Sequence, residues 1–184
     1  MSASYSFRFD EQLAMSHGIA ANPKIPAILL ADIPGAENVW PASATNDKNG
    51  TDFWVEHSSG KHLSVDCKIR NEDYAAKGKD DLALESWSIV GKKTGWTRDP
   101  NKRTDYVLWF WQDTHRKCLL PFSMLCSVFI DKCEEWRAKY GASTQFTQTA
   151  YGGYESECIF VPRIVVWRAI YNKFSGQPVE TRTA

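Results

Sequence analysis

Residues 62–70, "HLSVDCKIR", alternate strictly between apolar and polar side chains. Leu63, Val65, Cys67 and Ile69 fall on one side, and Ser64, Asp66, Lys68 and Arg70 on the other. That period of two predicts a β-strand. A similar run, "DFWVEH" (52–57), precedes it across Ser58-Ser59-Gly60. A three-residue loop with glycine third suits a hairpin made of a type I turn plus a left-handed residue. His57 then faces Lys61, paired numbers sum to 118, and Asp52 falls opposite Asp66. Opposed residues of an antiparallel pair lie about 5 Å apart and point to one face.

The rest of the chain mixes both periodicities. Residues 7–22 place Phe9, Leu13, Ser16 and Ala20 on one side and stop at Asn22-Pro23, which predicts a first helix. Residues 25–43 carry three prolines and a glycine, which predicts a short strand or helix followed by a loop. Residues 43–51 are polar and turn-forming, and 71–81 form a polar connection. Strands are predicted over 82–90 ("LALESWSIV"), over 104–112 ("TDYVLWFWQ") and, as the hairpin partner of the latter, over 117–122 ("KCLLPF"). Residues 123–140 have helical spacing, with Leu125, Phe129, Cys133 and Trp136 on one side, Ser123 as N-cap and Gly141 as stop. "SECIFVPRIVVWRAI" (156–170) echoes "KCLLPFSMLC": a strand, a proline, then an apolar segment. This order predicts an α/β fold with a mixed central sheet, in one domain over 1–174 with a loose tail over 175–184.

Composition narrows the classes. Of 184 residues, 43% are hydrophobic and 24% charged, as in a globular chain. The formal net charge of zero argues against whole-protein attraction to nucleic acid or membrane, but leaves room for a local patch. "KKTGWTRDPNKR" (92–103) supplies one, with Lys92, Lys93, Arg98, Lys102 and Arg103 against Asp99. Such a loop could ride along a phosphate backbone, or simply be solvated. Trp96 within it could stack on a base, although anchoring the loop is the plainer role. The five cysteines make an odd number with no CxxC pair, so they read as buried thiols of a reducing compartment. No leader segment and no membrane-length apolar run is visible, so the expectation is a cytoplasmic protein with no membrane partner.

Chemistry concentrates on the hairpin. Two carboxylates on one face repel each other unless a cation joins them. Their all-oxygen character suits Mg²⁺, which takes one or two carboxylates plus waters and phosphate oxygens. Lys68 shares the face of Asp66 and could orient or deprotonate an attacking water. Cys67 points into the core, which leaves its backbone carbonyl as a further hard ligand. A plainer reading makes Asp66 and Lys68 solvated partners on an exposed sheet face. Glu85 reads as a strand-edge charge, Glu56 lies too far along the first strand, and His57 and His62 sit at the hairpin tip. GxSxG, GxGxxG and GxxxxGK[ST] are all absent.

An acid on the first hairpin strand and D-x-K on the second resembles the PD-(D/E)xK phosphodiesterase superfamily, which holds restriction-endonuclease-like and Holliday-junction-resolvase-like enzymes, many of phage or mobile-element origin. Its pattern is a helix, a strand, the hairpin, then a helix and further strands. "GWTRDPNKRTDYVLWFWQ" followed by "KCLLPFSML" resembles a later stretch of small members. The resemblance covers residues 7–140 and departs from the pattern in lacking a proline before Asp52, where Gly50-Thr51 stands. It implies a metal-dependent deoxyribonuclease with a restriction-endonuclease-like sheet. Asp52, Asp66, the Cys67 carbonyl and a first-helix glutamate, Glu11, would hold Mg²⁺, with Mn²⁺ able to substitute. Lys68 would be catalytic, DNA the partner, and a homodimer compatible with cutting both strands. A rival reading is an inactive nuclease-fold protein that binds DNA or a protein in a regulatory or anti-defence role. A third is a structural protein with no site, in which Asn at position 52 or 66 would relieve repulsion.

Overall fold

A computed structural model describes residues 6–8, 22–43, 50–150 and 152–176. The chain is mixed α/β and folds as two compact units, each assembled from separated segments. Phe7–Asp73 and Asn101–Ser123 make one unit; Met1–Ser6, Tyr74–Pro100 and Met124–Ala184 make the other. Two five-stranded sheets replace the expected single central sheet.

The first unit holds strands β2 (Ala36–Pro41), β3 (Phe53–His57), β4 (His62–Arg70), β7 (Tyr106–Trp111) and β8 (Lys117–Pro121), side by side in that order. The first three form an antiparallel meander, β4 pairs with β7 in parallel, and β7 pairs with β8 antiparallel. Hairpin register is as the spacing predicts, from Phe53↔Val65 to Glu56↔His62, with Gly60 at φ 76° in the turn. The "YVLWFW" run of β7 is buried along almost its whole length, as a strand covered on both faces must be.

Helix α1 (Lys24–Asp32) precedes the meander. Its start is fixed by Asn22, whose side-chain oxygen accepts the Lys24 amide at 3.1 Å. Pro26 is tolerated because first-turn amides have no helical acceptor. Ile25 and Leu29, four residues apart, share one face with the following Ile33. They form a core cluster with Phe53, Val55, Val65, Cys67, Leu108 and Phe110. The apolar side of the hairpin is therefore buried as its alternation requires.

The second unit holds β5 (Asp81–Ile89), β6 (Lys93–Thr94), β9 (Ser143–Thr149) and β10 (Gly152–Pro162), in the order β9-β10-β5-β6; of β1 (Ser6–Arg8), which the strand order sets next to β9, only Ser6 falls in this unit. Helix α2 (Phe122–Tyr140) belongs to this unit from Met124 onward, and α3 (Arg163–Phe174) follows β10. The echo between "KCLLPF" and "CIFVPR" is structural: β8 and β10 each end at a proline from which a helix departs. At the second junction the Arg163 guanidinium grips Asp80, its Nη2 donating at 2.9 Å. Lys173 joins α3 to Asp131 of α2 at 2.5 Å.

Several expectations shift. Residues 7 and 8 lie in β1, so a helix does not begin at residue 7; the rest of that segment, including Glu11, and the tail from 177 lie outside the described residues. Ser123 stands inside α2 rather than capping it, because the helix begins directly from β8 at Phe122. Gly141 ends the helix as expected, at φ 78°. Strands β2 and β9 fall where the sequence shows turn residues or polar alternation. All five cysteines are free; Cys67, Cys118, Cys126 and Cys133 are buried. No helix among the described residues is long and apolar enough to cross a membrane.

Gly95 is required for space rather than for conformation. Its φ of −69° is ordinary. A Cβ there would meet the Glu85 carbonyl oxygen at 2.2 Å, a backbone atom that cannot swing away. Gly95→Ala is expected to lower the unfolding free energy by about 1–3 kcal/mol, the range for forced overpacking, read from urea denaturation.

Candidate functional site

Asp66 sits in the middle of β4 and is 3% exposed. The polar side of that strand is not a solvated face. Its parallel neighbours Val107 and Trp109, in register with Asp66 and Lys68, are fully buried. A carboxylate placed there must be paired or protonated. It is paired twice. Lys68 Nζ lies 2.7 Å from Asp66 Oδ1, and Lys102 Nζ lies 2.7 Å from Oδ2. Burial alone would raise the Asp66 carboxyl, but the two ammonium groups outweigh it and hold the group below the usual carboxylate range.

Asp52 lies one residue before β3, where the regular ladder gives out. Its amide donates to the Val65 carbonyl at 2.8 Å, and its carbonyl accepts the Ala42 amide at 2.8 Å. Its Oδ2 accepts the Cys67 amide at 2.5 Å. The carboxylate thus satisfies a β4 donor one residue beyond Asp66. Burial pushes the Cys67 thiol well up, and the charges of Asp52 and Asp66 push it further. Both acids therefore bear on the same point of the strand, while Cys67 itself stays a protonated member of the core.

Lys102 was expected to follow a phosphate backbone; the structure instead folds it inward onto Asp66, with its side chain 10% exposed. Two features set its path. Asp105 Oδ2 accepts from the Ser64 amide at 2.7 Å and the Ser64 hydroxyl at 2.9 Å, which ties the start of β7 to β4 two residues before Asp66. Gly50, at φ 81°, opens the space: a Cβ there would stand 2.2 Å from Lys102 Nζ. Thr104 supports the same corner by donating to the Gly50 carbonyl at 3.0 Å. Nothing in the sequence singles out Lys102; the parallel pairing of the folded sheet brings it in. With Val65 beside Tyr106, the residues just before β7 arrive at the Asp66 end of β4.

The other candidates are placed elsewhere. Lys92, Lys93 and Arg98 belong to the second unit and Arg103 to the first. Arg98 lies over the Trp87 ring at 5.2 Å. Glu85 is in the other sheet, where it accepts the Ser88 hydroxyl at 2.8 Å and the Trp96 amide at 3.0 Å. Glu56 pairs with His62 near the hairpin tip, and His57 meets the Ser59 hydroxyl at 2.8 Å. Among the described residues no three His, Cys, Asp or Glu side chains come together as a metal cluster.

The sign of the Asp66 shift fixes a pH dependence. A carboxylate held below its ordinary value of 3.8 contributes stability that is complete above that value and is lost as pH falls through the lowered one. Asp66→Asn is expected to cost about 3–5 kcal/mol at pH 7, as removing one partner of a buried ion pair does. The gap between wild type and variant, followed by urea unfolding, should stay constant down to about pH 5 and shrink below the ordinary carboxylate value. This is the opposite of relief from repulsion. Comparison of the chain with family models, with curated proteins and with solved structures returned no match.

Proposed function

We propose that the chain is a metal-dependent endonuclease that hydrolyses phosphodiester bonds in DNA, with a restriction-endonuclease-like sheet in its first unit. The observation that carries this reading is the buried Asp66-x-Lys68 pair on β4, with Asp52 at the start of the preceding strand. Helix α1, strand β2 and the β3-β4 hairpin stand in the order of the PD-(D/E)xK pattern; the helix expected after the hairpin does not, since strands β5 and β6 of the other sheet come between β4 and the parallel β7. In that order α1, not the segment around Glu11, directly precedes the first strand of the sheet.

The donors fit a hard divalent cation. Asp52, Asp66 and the Cys67 carbonyl offer oxygen alone, and the Cys67 thiol stays protonated in the apolar cluster. These are the groups that would hold Mg²⁺ or Mn²⁺; when bound, the ion would lower the pKa of a water and draw charge from the phosphate. The Asp52 carboxylate is braced by the Cys67 backbone amide, which donates to its Oδ2 one residue beyond Asp66. Lys68 Nζ, held at Asp66 Oδ1, is the group to orient the attacking water or take its proton.

A second reading has its own observation. Both Asp66 oxygens already carry an ammonium, which is the arrangement a nuclease fold retained only for binding would need. Cleavage of supercoiled plasmid and of a branched oligonucleotide separates the two. Wild type is expected to nick DNA with Mg²⁺ or Mn²⁺ and to stop in EDTA. Lys68→Ala should lose about 10²–10⁴-fold in rate, the range for a removed general base. Metal-independent DNA binding with no cleavage, unchanged in Lys68→Ala, would favour the binding protein.

A further inference from the structure

Lys102 is the part of the site that the D-x-K pattern does not contain. Its ammonium rests on Asp66 Oδ2 at 2.7 Å, as close as Lys68 rests on Oδ1. The two lysines differ in how they are held. Lys68 comes from β4 itself, two residues from Asp66, so strand geometry fixes it. Lys102 comes from the segment between Pro100 and β7, and reaches the acid through the gap that Gly50 leaves. The D-x-K strand brings one cation to Asp66, and Lys102 brings a second from outside the hairpin.

We propose that Lys102 is a built-in counter-ion for Asp66 that competes with the divalent cation for Oδ2, and so sets the metal affinity of the site. The inference rests on the proposed metal-dependent reading. Each Asp66 oxygen accepts an ammonium, so a cation that takes a remaining lone pair of either oxygen meets a positive charge already placed there. Lys102 is the competitor at Oδ2, the oxygen its ammonium occupies, while Lys68 stands at Oδ1. Charge follows the same logic. Asp52 and Asp66 against Lys68 and Lys102 sum to zero, a balance that attracts no dication strongly. Removing Lys102 turns the group to net −1.

Calorimetric titration with Mg²⁺ and Mn²⁺ alone, without DNA, tests this on the full chain. Lys102→Met keeps the aliphatic stem and removes the charge; its Kd for either ion is expected to fall at least tenfold below that of wild type. Lys61→Met, an equal charge change at the exposed hairpin tip, is expected to leave Kd within twofold. If Lys102→Met unfolds, Lys102→Gln, which keeps a polar head in the same gap, takes its place with the same expected direction. Wild type without measurable binding up to 20-fold above the Kd of Lys102→Met also supports the proposal. Equal or weaker affinity in the Lys102 variants, or no binding by any of them, overturns it. Plasmid cleavage on the same samples keeps the two readings apart. Metal-dependent cutting with unchanged Kd sinks the counter-ion and spares the nuclease; tighter binding with no cutting by wild type does the reverse.

Discussion

A carboxylate buried in mid-sheet must be compensated, and much of the first unit is arranged around that need. Asp66 is 3% exposed, among side chains that offer it no water. Ionised and alone it would cost several kcal/mol. The fold answers with two ammonium groups from two different directions. To deliver the second, the chain must return from the other unit at Asn101, pass Gly50, and dock through Asp105 onto Ser64. The parallel β4-β7 pairing, the glycine at position 50 and the Ser64–Asp105 clamp are therefore one device. Together they bring a second cation to the acid at position 66.

Asp52 solves a different problem at the same place. The ladder between β3 and β4 ends at Phe53↔Val65, which would leave the Cys67 amide without a strand partner on that side. The carboxylate supplies the acceptor. Its charge is held by a backbone dipole while that of Asp66 is held by side-chain cations. Two acids that bear on adjacent residues of β4 are thus compensated by unlike means.

Much of this was legible in the residues. Strict alternation in 62–70 and the Ser58-Ser59-Gly60 loop gave the hairpin and its register, because an apolar face excludes one-residue slips and the loop length fixes which of the remaining pairings forms. The unbroken apolar run in 106–111 marked a central strand for the same reason. Helical spacing after Pro121 was equally plain. What stayed hidden was non-local. Lys102 reads as one more cation in a basic run, and only the pairing of residues forty apart in sequence turns it toward Asp66. Strand β9, "STQFTQT", carries too few apolar residues to announce itself and gains its place from pairing with β10. The division into two sheets was hidden too, since periodicity identifies strands but not their neighbours.

The parallel pairing of β4 with β7 has a consequence for how the protein is made. Hairpin contacts join residues a few positions apart and can form as soon as Arg70 has been synthesised. Lys102 and β7 arrive only after a further thirty-odd residues, which go to build another unit. Loop-closure entropy makes such long-range parallel pairing a late event. A nascent chain that ends before residue 101 therefore has its acid strand without the second counter-charge or the neighbour that buries it. The hairpin at that stage is an exposed edge, with unpaired backbone groups along β4 that another strand could cap. Placing the partner strand so late ties completion of the site to completion of the sheet.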